Sequence, residues 1–373
     1  LKLEKLFRFM SLERTLSINV ISLFIINFFN FFISLISLPF LFKTFGAQVW
    51  GQIVLIQIIL NYLVWIIDWS FNKYSSKLIA IAKGNLSRQR KIFYITLSSQ
   101  SILFLFSNIV MIFLALLFNN FLQLFYSINL ILLGHILQPY WFLSGQEKIY
   151  QSSIYQLLKK IVFVLLILFF INKNSNLNNY FLFFGISSIL TGIIMSTLIT
   201  REYKLKIVEL IKYMRNIKIG FKFIKDSSRL FLSEIISTVS DSIYPILISS
   251  MIGNIELGIY NLTDRIKSLF IQILHPIGHS LFPRMSQKYS LSKLNANKSF
   301  KKVILFYLIL SIVIFIFSNI FIERIISFFS DSYNAKLVNL LRILLFSFIF
   351  NTVSEQFISQ YFIPNNMFKF LNS

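Results

Sequence analysis

Cysteine is absent from the 373 residues, which excludes disulfides, thiolate metal sites and cysteine nucleophiles. Histidine is nearly as scarce, with three copies, and leaves little room for a metal cluster. Charged residues make up only 13% of the chain, against roughly 25% in a typical soluble domain. No glycine-rich phosphate loop is present, so nothing supports ATP-driven chemistry, and no cofactor is expected. What fills the chain is apolar: 56% hydrophobic residues, 44 of them Phe, with a mean hydropathy of +0.72.

A water-soluble core cannot absorb that composition. Runs of about twenty apolar residues, each able to cross roughly 30 Å of hydrocarbon, account for it. The expected fold class is therefore an all-α polytopic membrane protein. Ten spans are read, over 16–42, 48–70, 91–118, 121–143, 154–171, 178–200, 230–252, 257–283, 302–328 and 337–362. The first run is too long for a cleaved signal peptide.

The net charge of +22 would suggest nucleic acid in a soluble protein. Here it follows from the Lys and Arg of cytoplasmic loops, and no nucleic-acid partner is expected. Alternate connections hold 29 positive residues on one side and four (Lys43, Lys173, Arg324 and Lys336) on the other. The larger count includes Lys148, Lys159 and Lys160, read as one connection. The asymmetry sets the N-terminus in the cytoplasm. The longest connection, 201–229, carries nine positive residues with Tyr203, Leu205, Ile211 and Phe221 interleaved. It reads as a basic linker with an amphipathic helix against anionic headgroups of the bilayer, and 72–90 reads similarly. The linker separates a six-helix bundle (1–200) from a four-helix remainder (230–373).

Gly46 and Gly51 flank the turn between the first two spans, and Gly253 and Gly258 flank the turn between the seventh and eighth. Pro39 and Pro245 precede the two pairs by seven and eight residues. Either this is coincidence or residues from about 230 repeat the first half in parallel orientation. A complete second half would need two more helices, so the chain is expected to lack its last pair.

An ionisable residue at mid-bilayer costs about 2.5–3.5 kcal/mol on insertion scales, which makes each a functional candidate. The eighth span carries Asn261, Asp264, Arg265, Ser268, Gln272, His275 and His279 on one face. The seventh carries Glu234, Thr238, Asp241 and Pro245, and the first Asn30, Ser34 and Ser37. Such stripes can line a water-filled cavity. Arg265 and Lys267 suit an anionic ligand, since Arg grips phosphate oxygens bidentately and Lys acts as a point charge. Asp68, Asp241, Asp264 and Glu234 are candidates for a coupling proton or cation. Structural alternatives stand beside each: an Asp264–Arg265 pair that only fixes packing, Glu234 meeting Arg229 or Lys225, and Asp68 meeting Lys73. His275 and His279 have metal-ligand spacing without an accompanying glutamate motif, so packing or cavity lining is the reading and no metal is assigned.

Several segments resemble the polysaccharide transporter family, which contains the Wzx-type O-antigen flippases and shares a superfamily with MATE exporters and lipid II flippases. LPFLFKTFGAQVWGQIVLIQ (38–57), with Pro39, Gly46 and Gly51, and DWSFNKYSSKLIAIAKGN (68–85) are similar to its first two helices. QPYWFLSGQEKIY (138–150) looks like its fourth-helix motif through Gln138, Pro139, Trp141, Gly145 and Glu147. LGIYNLTDRIK (257–267) and HPIGHSLFPRMSQ (275–287) resemble its eighth helix. The resemblance implies twelve helices in two bundles around a central, often cationic cavity, at odds with the ten read here. It implies transfer of an undecaprenyl-pyrophosphate-linked oligosaccharide from the inner to the outer leaflet of the bacterial cytoplasmic membrane. H+ or Na+ would drive it, with a polymerase and chain-length partners in the same assembly system. Rival readings are a MATE-type drug or cation antiporter and, from another class, a membrane-embedded polymerase or glycosyltransferase. Short external connections disfavour a polymerase, and basic loops disfavour a glycosyltransferase.

Overall fold

The computed structural model describes the backbone of residues 2–117, 119–173, 175–331, 335–365 and 367. Side chains are described among these from Phe28 onward, other than 117, 119–121, 236–238, 240–241, 276, 279–280 and 283. The described residues are helical almost throughout, with no strand. Among the described residues, six helical stretches are long and apolar enough to cross a membrane: 28–81, 86–116, 149–170, 177–202, 293–320 and 335–362. This is an all-α polytopic membrane protein.

Helix α1 (Lys2–Asp68) holds the first two spans and breaks at Gly46, whose φ of 68° and ψ of 172° are non-helical. Helix α2 (Phe71–Ile81) buries Phe71, Ser75 and Ile79, one stripe at four-residue spacing, while Lys73 stays exposed. Then come α3 (Leu86–Leu117), α4 (Asn119–Ile136), α5 (Tyr140–Gly145), α6 (Ile149–Phe170) and α7 (Leu177–Glu202). They are followed by α8 (Ile207–Arg215), α9 (Ile217–Met251), α10 (Asn254–Leu291), α11 (Lys293–Ile320), α12 (Ile322–Phe329) and α13 (Ala335–Phe357). A π-helical turn, Ile358–Phe362, closes α13.

Two expected boundaries move, and one charge count changes. The fourth span stops at Ile136 instead of reaching 143, because Pro139 lacks the N–H that a continuing helix requires, and α5 restarts from it. The ninth splits at Phe321 into α11 and the short α12, which buries Ile322, Ile326 and Phe329 and starts with Glu323 and Arg324. Lys159 and Lys160, counted with a loop, lie inside α6. Their long aliphatic stems allow this, and the Lys159 ammonium rests 4.7 Å from the Phe184 ring centre.

Two compact units emerge. The first comprises Leu1–Ile33 and Gln52–Ile252; the second comprises Ser34–Gly51 and Gly253–Ser373. In the first, α4 lies along α7 through small residues, among them Ser187, Ser188 and Thr191. Trp141, Phe142, Phe93 and Tyr203 form an aromatic cluster within it. Helix α8 turns Leu210 and Tyr213 onto that cluster while Ile207, Val208, Ile211 and Met214 remain exposed. The 217–229 half of the basic segment is continuous with α9.

In the second unit α10, α11 and α13 pack against one another around Leu274, Tyr307 and Phe348. The start of α10 also meets the 47–51 stretch of α1 at backbone contact. Gly46 and Gly253 play matching parts there, both with positive φ and extended ψ at the residue where a helix opens.

Candidate functional site

The polar face of α10 is the densest in the second unit. Arg265 does not pair with its neighbour Asp264, as the sequence allowed. Successive helical residues point about 100° apart, whereas residues three or four apart share a face. Asp264 therefore takes Lys267, with Nζ 2.6 Å from Oδ1. Arg265 donates from Nε to Asn261 Oδ1 at 2.8 Å and lays its guanidinium 5.1 Å from the Trp50 ring centre. Asn261 below and Trp50 beside it hold the fork in one orientation.

Arg265 opens onto a cavity of about 170 Å³, lined also by Ser34, Ser37, Leu38, Leu41, Ser268, Leu269 and Gln272. Ser34, Ser37, Leu38 and Leu41 come from the 34–51 stretch of α1, and Arg265, Ser268, Leu269 and Gln272 from one face of α10. A guanidinium, the hydroxyls of Ser34 and Ser37 and the Gln272 amide around a small apolar floor make a donor-bearing niche for oxygens that carry negative charge, while the Ser268 hydroxyl donates to the Asp264 carbonyl at 2.9 Å. Lys267, 13% exposed, is spent on Asp264 and does not line this cavity.

Other candidates lie elsewhere. His275 faces Glu355 of α13, Nε2 to Oε1 3.3 Å. Asn30 belongs to the first unit, where its buried Oδ1 has no hydrogen-bond partner. The side chains of His279, Thr238 and Asp241 lie outside the described residues. Glu234 meets neither Arg229 nor Lys225: it accepts from Ser70 Oγ and pairs with Lys73 at 2.7 Å. Asp68 does not take Lys73 but His135, Nε2 to Oδ1 2.8 Å, with Asn72 Nδ2 on its other oxygen at 3.2 Å.

The fourth-helix motif is a brace. Gln138 donates to the Ser188 carbonyl at 2.7 Å and to Thr191 at 2.8 Å, and accepts from Tyr140. Pro139 opens α5, and Trp141 is buried with its carbonyl accepting from Ser76. Gly145 abuts α2, and Glu147 pairs with Lys83 at 2.6 Å. These residues tie α2, α5 and α7 together and do not line the Arg265 cavity. Pro39 stays within α1.

Sequence reasoning missed His135, Glu355, Trp50 and the Lys43–Asp331 pair at 3.0 Å. A lone histidine at the end of an apolar helix carries no periodic signal, and neither does a tryptophan in a hydrophobic run. Among the described residues no group of three or more His, Asp or Glu could hold a metal ion.

Comparison with known proteins gives a consistent set of likenesses. The family described as "Polysaccharide biosynthesis protein" matches residues 16–289, and the family described as "MatE" matches 230–361. A protein of Escherichia coli strain K12 is 22% identical over 287 residues, 76% of this chain and 68% of its own length. One of Shigella dysenteriae is 24% identical over 274 residues, covering 72% and 67%. Both carry the description "Putative O-antigen transporter". Among solved structures, a multidrug resistance MATE family transporter of the MOP superfamily, inward-facing, superposes with a TM-score of 0.53 at 12% identity. That match covers 89% of this chain and 83% of the other, and it establishes likeness of fold.

Proposed function

Because the chain belongs to the polysaccharide biosynthesis protein family, as a multi-pass membrane transporter rather than an enzyme, we propose that it flips a lipid-linked oligosaccharide. The substrate in this reading is an undecaprenyl-pyrophosphate-linked repeat unit of O-antigen or another surface polysaccharide. It moves from the cytoplasmic to the outer leaflet of a bacterial inner membrane by alternating access, driven by an ion gradient. A polymerase and chain-length partners would act on the product. The match that opens at 230 supports taking 1–200 and 230–373 as two bundles joined by the 201–229 linker.

One observation carries the proposal: Arg265, oriented by Asn261 and Trp50 in a serine-lined cavity. A pyrophosphate presents paired anionic oxygens, which a planar guanidinium matches and an ammonium does not. A drug-cation exporter is disfavoured by the carboxylates themselves. Among the described residues, Asp264 faces Lys267 and Glu234 faces Lys73, so these two carboxylates already have a cationic partner of their own.

The test is complementation of a flippase-deficient strain whose repeat unit shares its sugars with the native substrate. Surface polysaccharide should return with the wild-type protein and fail with Arg265→Glu. Full restoration by Arg265→Glu would remove the phosphate-recognition role.

A further inference from the structure

The step of 207 residues that carries Gly46 onto Gly253 and Gly51 onto Gly258 also carries Asp68 onto His275. Each of these last two residues sits on the span that follows a glycine break, and each reaches across to the span two further along its own unit. Asp68 on α1 meets His135 in the last turn of α4, and His275 on α10 meets Glu355 near the end of α13. The second unit therefore repeats the imidazole–carboxylate bridge of the first, with acid and base exchanged between the helices.

We infer that these two bridges are the proton-exchange sites of transport, so that the coupling ion is H+, with two exchanging sites per chain. The inference rests on the transporter reading and deepens it by naming the ion. Three observations support it.

Their chemistry suits a proton. A hard cation needs several oxygen ligands in one shell. Asp68 instead has one oxygen on an imidazole nitrogen and the other on the Asn72 amide N–H. Imidazole is the side chain whose charge changes within the physiological range, and it does so by gaining or losing one proton with no other reactant. With the proton on, imidazolium and carboxylate attract across the gap between two spans. With the proton off, the ion pair is lost and at most a neutral N–H hydrogen bond to the carboxylate remains, so the two helix ends are held less tightly.

Described charged and titratable groups nearby have partners of their own. Near Asp68, Lys73 of α2 and Glu234 of α9 pair with each other. Among the described residues packed near His275 and Glu355, Tyr307 of α11 donates from Oη to the Leu274 carbonyl at 3.3 Å.

The bridges are also reachable. Asp68 and His135 are 19% and 17% exposed, and His275 and Glu355 are 39% and 42% exposed, so neither bridge is sealed inside the protein.

Because the chain has only three histidines, the test can read each imidazole directly. In nanodiscs holding the full chain labelled with 13C-histidine, the His135 resonance should move with Asp68→Asn, and the His275 resonance with Glu355→Gln. Histidine signals unmoved by these changes would overturn the bridges. Coupling is read in proteoliposomes, with a short-chain polyprenyl diphosphate disaccharide as probe and imposed gradients. Wild-type protein should move the probe severalfold faster under a tenfold proton gradient, and no faster under a sodium gradient. The double variant Asp68→Asn/His135→Asn keeps a hydrogen bond between the helices but removes the titrating groups, and it should lose part of the response. Adding His275→Asn/Glu355→Gln should remove the rest. The exchange Asp68→His/His135→Asp, which copies the polarity of the second bridge, should restore the response lost at the first. A full proton response in the quadruple variant, or a sodium gradient replacing the proton gradient, would overturn the inference and leave the flippase reading standing. Probe movement absent throughout, with the histidine shifts as stated, would instead count against the oligosaccharide reading and support the bridges.

Discussion

Gly51 and Gly258 face one another at backbone contact: a Cβ on Gly51 would lie 1.8 Å from the Asn254 carbonyl oxygen, and one on Gly258 would lie 2.0 Å from that of Ala47. The contact is reciprocal, since Ala47 follows Gly46 and Asn254 follows Gly253. Small residues that let backbones touch are a main source of helix association where lipid replaces water. Gly51→Ala or Gly258→Ala should therefore force the two helices apart. The expected cost is about 1–3 kcal/mol, the range for inserting a methyl into a packed site. Thermal unfolding of the purified protein in detergent checks it, and an unchanged midpoint in both variants would contradict the crossing.

Arg265 is predicted to act through its fork as well as its charge. Arg265→Lys keeps the cation but cannot make two parallel bonds to a phosphate or stack as well on Trp50. Losing one charge-assisted bond of about 1.5–3 kcal/mol corresponds to roughly a tenfold loss or more. Surface polysaccharide per copy of protein should fall by about that factor in a complemented strain. Parity with wild type would mean that only charge is read.

Asp264 and Lys267 make a different demand. Removing either partner leaves the other charge without its answer, so Lys267→Met and Asp264→Asn should each destabilise by about 1–3 kcal/mol. The double variant should cost less than the two singles summed, because the stranded charge is gone. Strict additivity in a thermal double-mutant cycle would show that the pair does not couple.

Helix α8 is predicted to bind anionic lipid. Its exposed Ile207, Val208, Ile211 and Met214 accompany Lys206, Lys212 and Arg215. Each basic residue near a negative surface contributes about 1 kcal/mol. A synthetic 204–218 peptide should bind vesicles rich in phosphatidylglycerol and not neutral ones. Replacing Lys206, Lys212 and Arg215 with Glu should abolish that binding, and equal binding to neutral vesicles would remove the electrostatic part.

How much of this was legible in the sequence differs from feature to feature. Spans were readable because hydrocarbon thickness imposes a length on every one of them, and the glycine pairs were readable because their spacing repeats. The end of α4 was written in Pro139 but read past, since the apolar run continues through Trp141 and Phe142. The partners of charged side chains were not legible. Asp68 takes His135 across 67 positions of chain, a pairing fixed by which helices are neighbours. Arg265 was visible as an intramembrane cation, yet its stacking on Trp50 depends on the helix crossing at Gly51 and Gly258, which only tertiary structure supplies.

Orientation in the membrane is the remaining prediction, and the composition of the chain makes it easy to test. With no native cysteine, a single introduced thiol is the only one that a maleimide can modify. Lys173 sits exposed in the turn between α6 and α7, and Lys212 is exposed on α8. The concentration of Lys and Arg in alternate connections places the first of these outside and the second inside. Lys173→Cys should react with a membrane-impermeant maleimide on intact spheroplasts. Lys212→Cys and Lys83→Cys should react only after permeabilisation. Lys159 and Lys160 do not alter the expectation, because with both left out the sides still differ by 27 to four. The opposite labelling pattern would invert the chain, and the direction of transport proposed for it would have to be argued again from the other face.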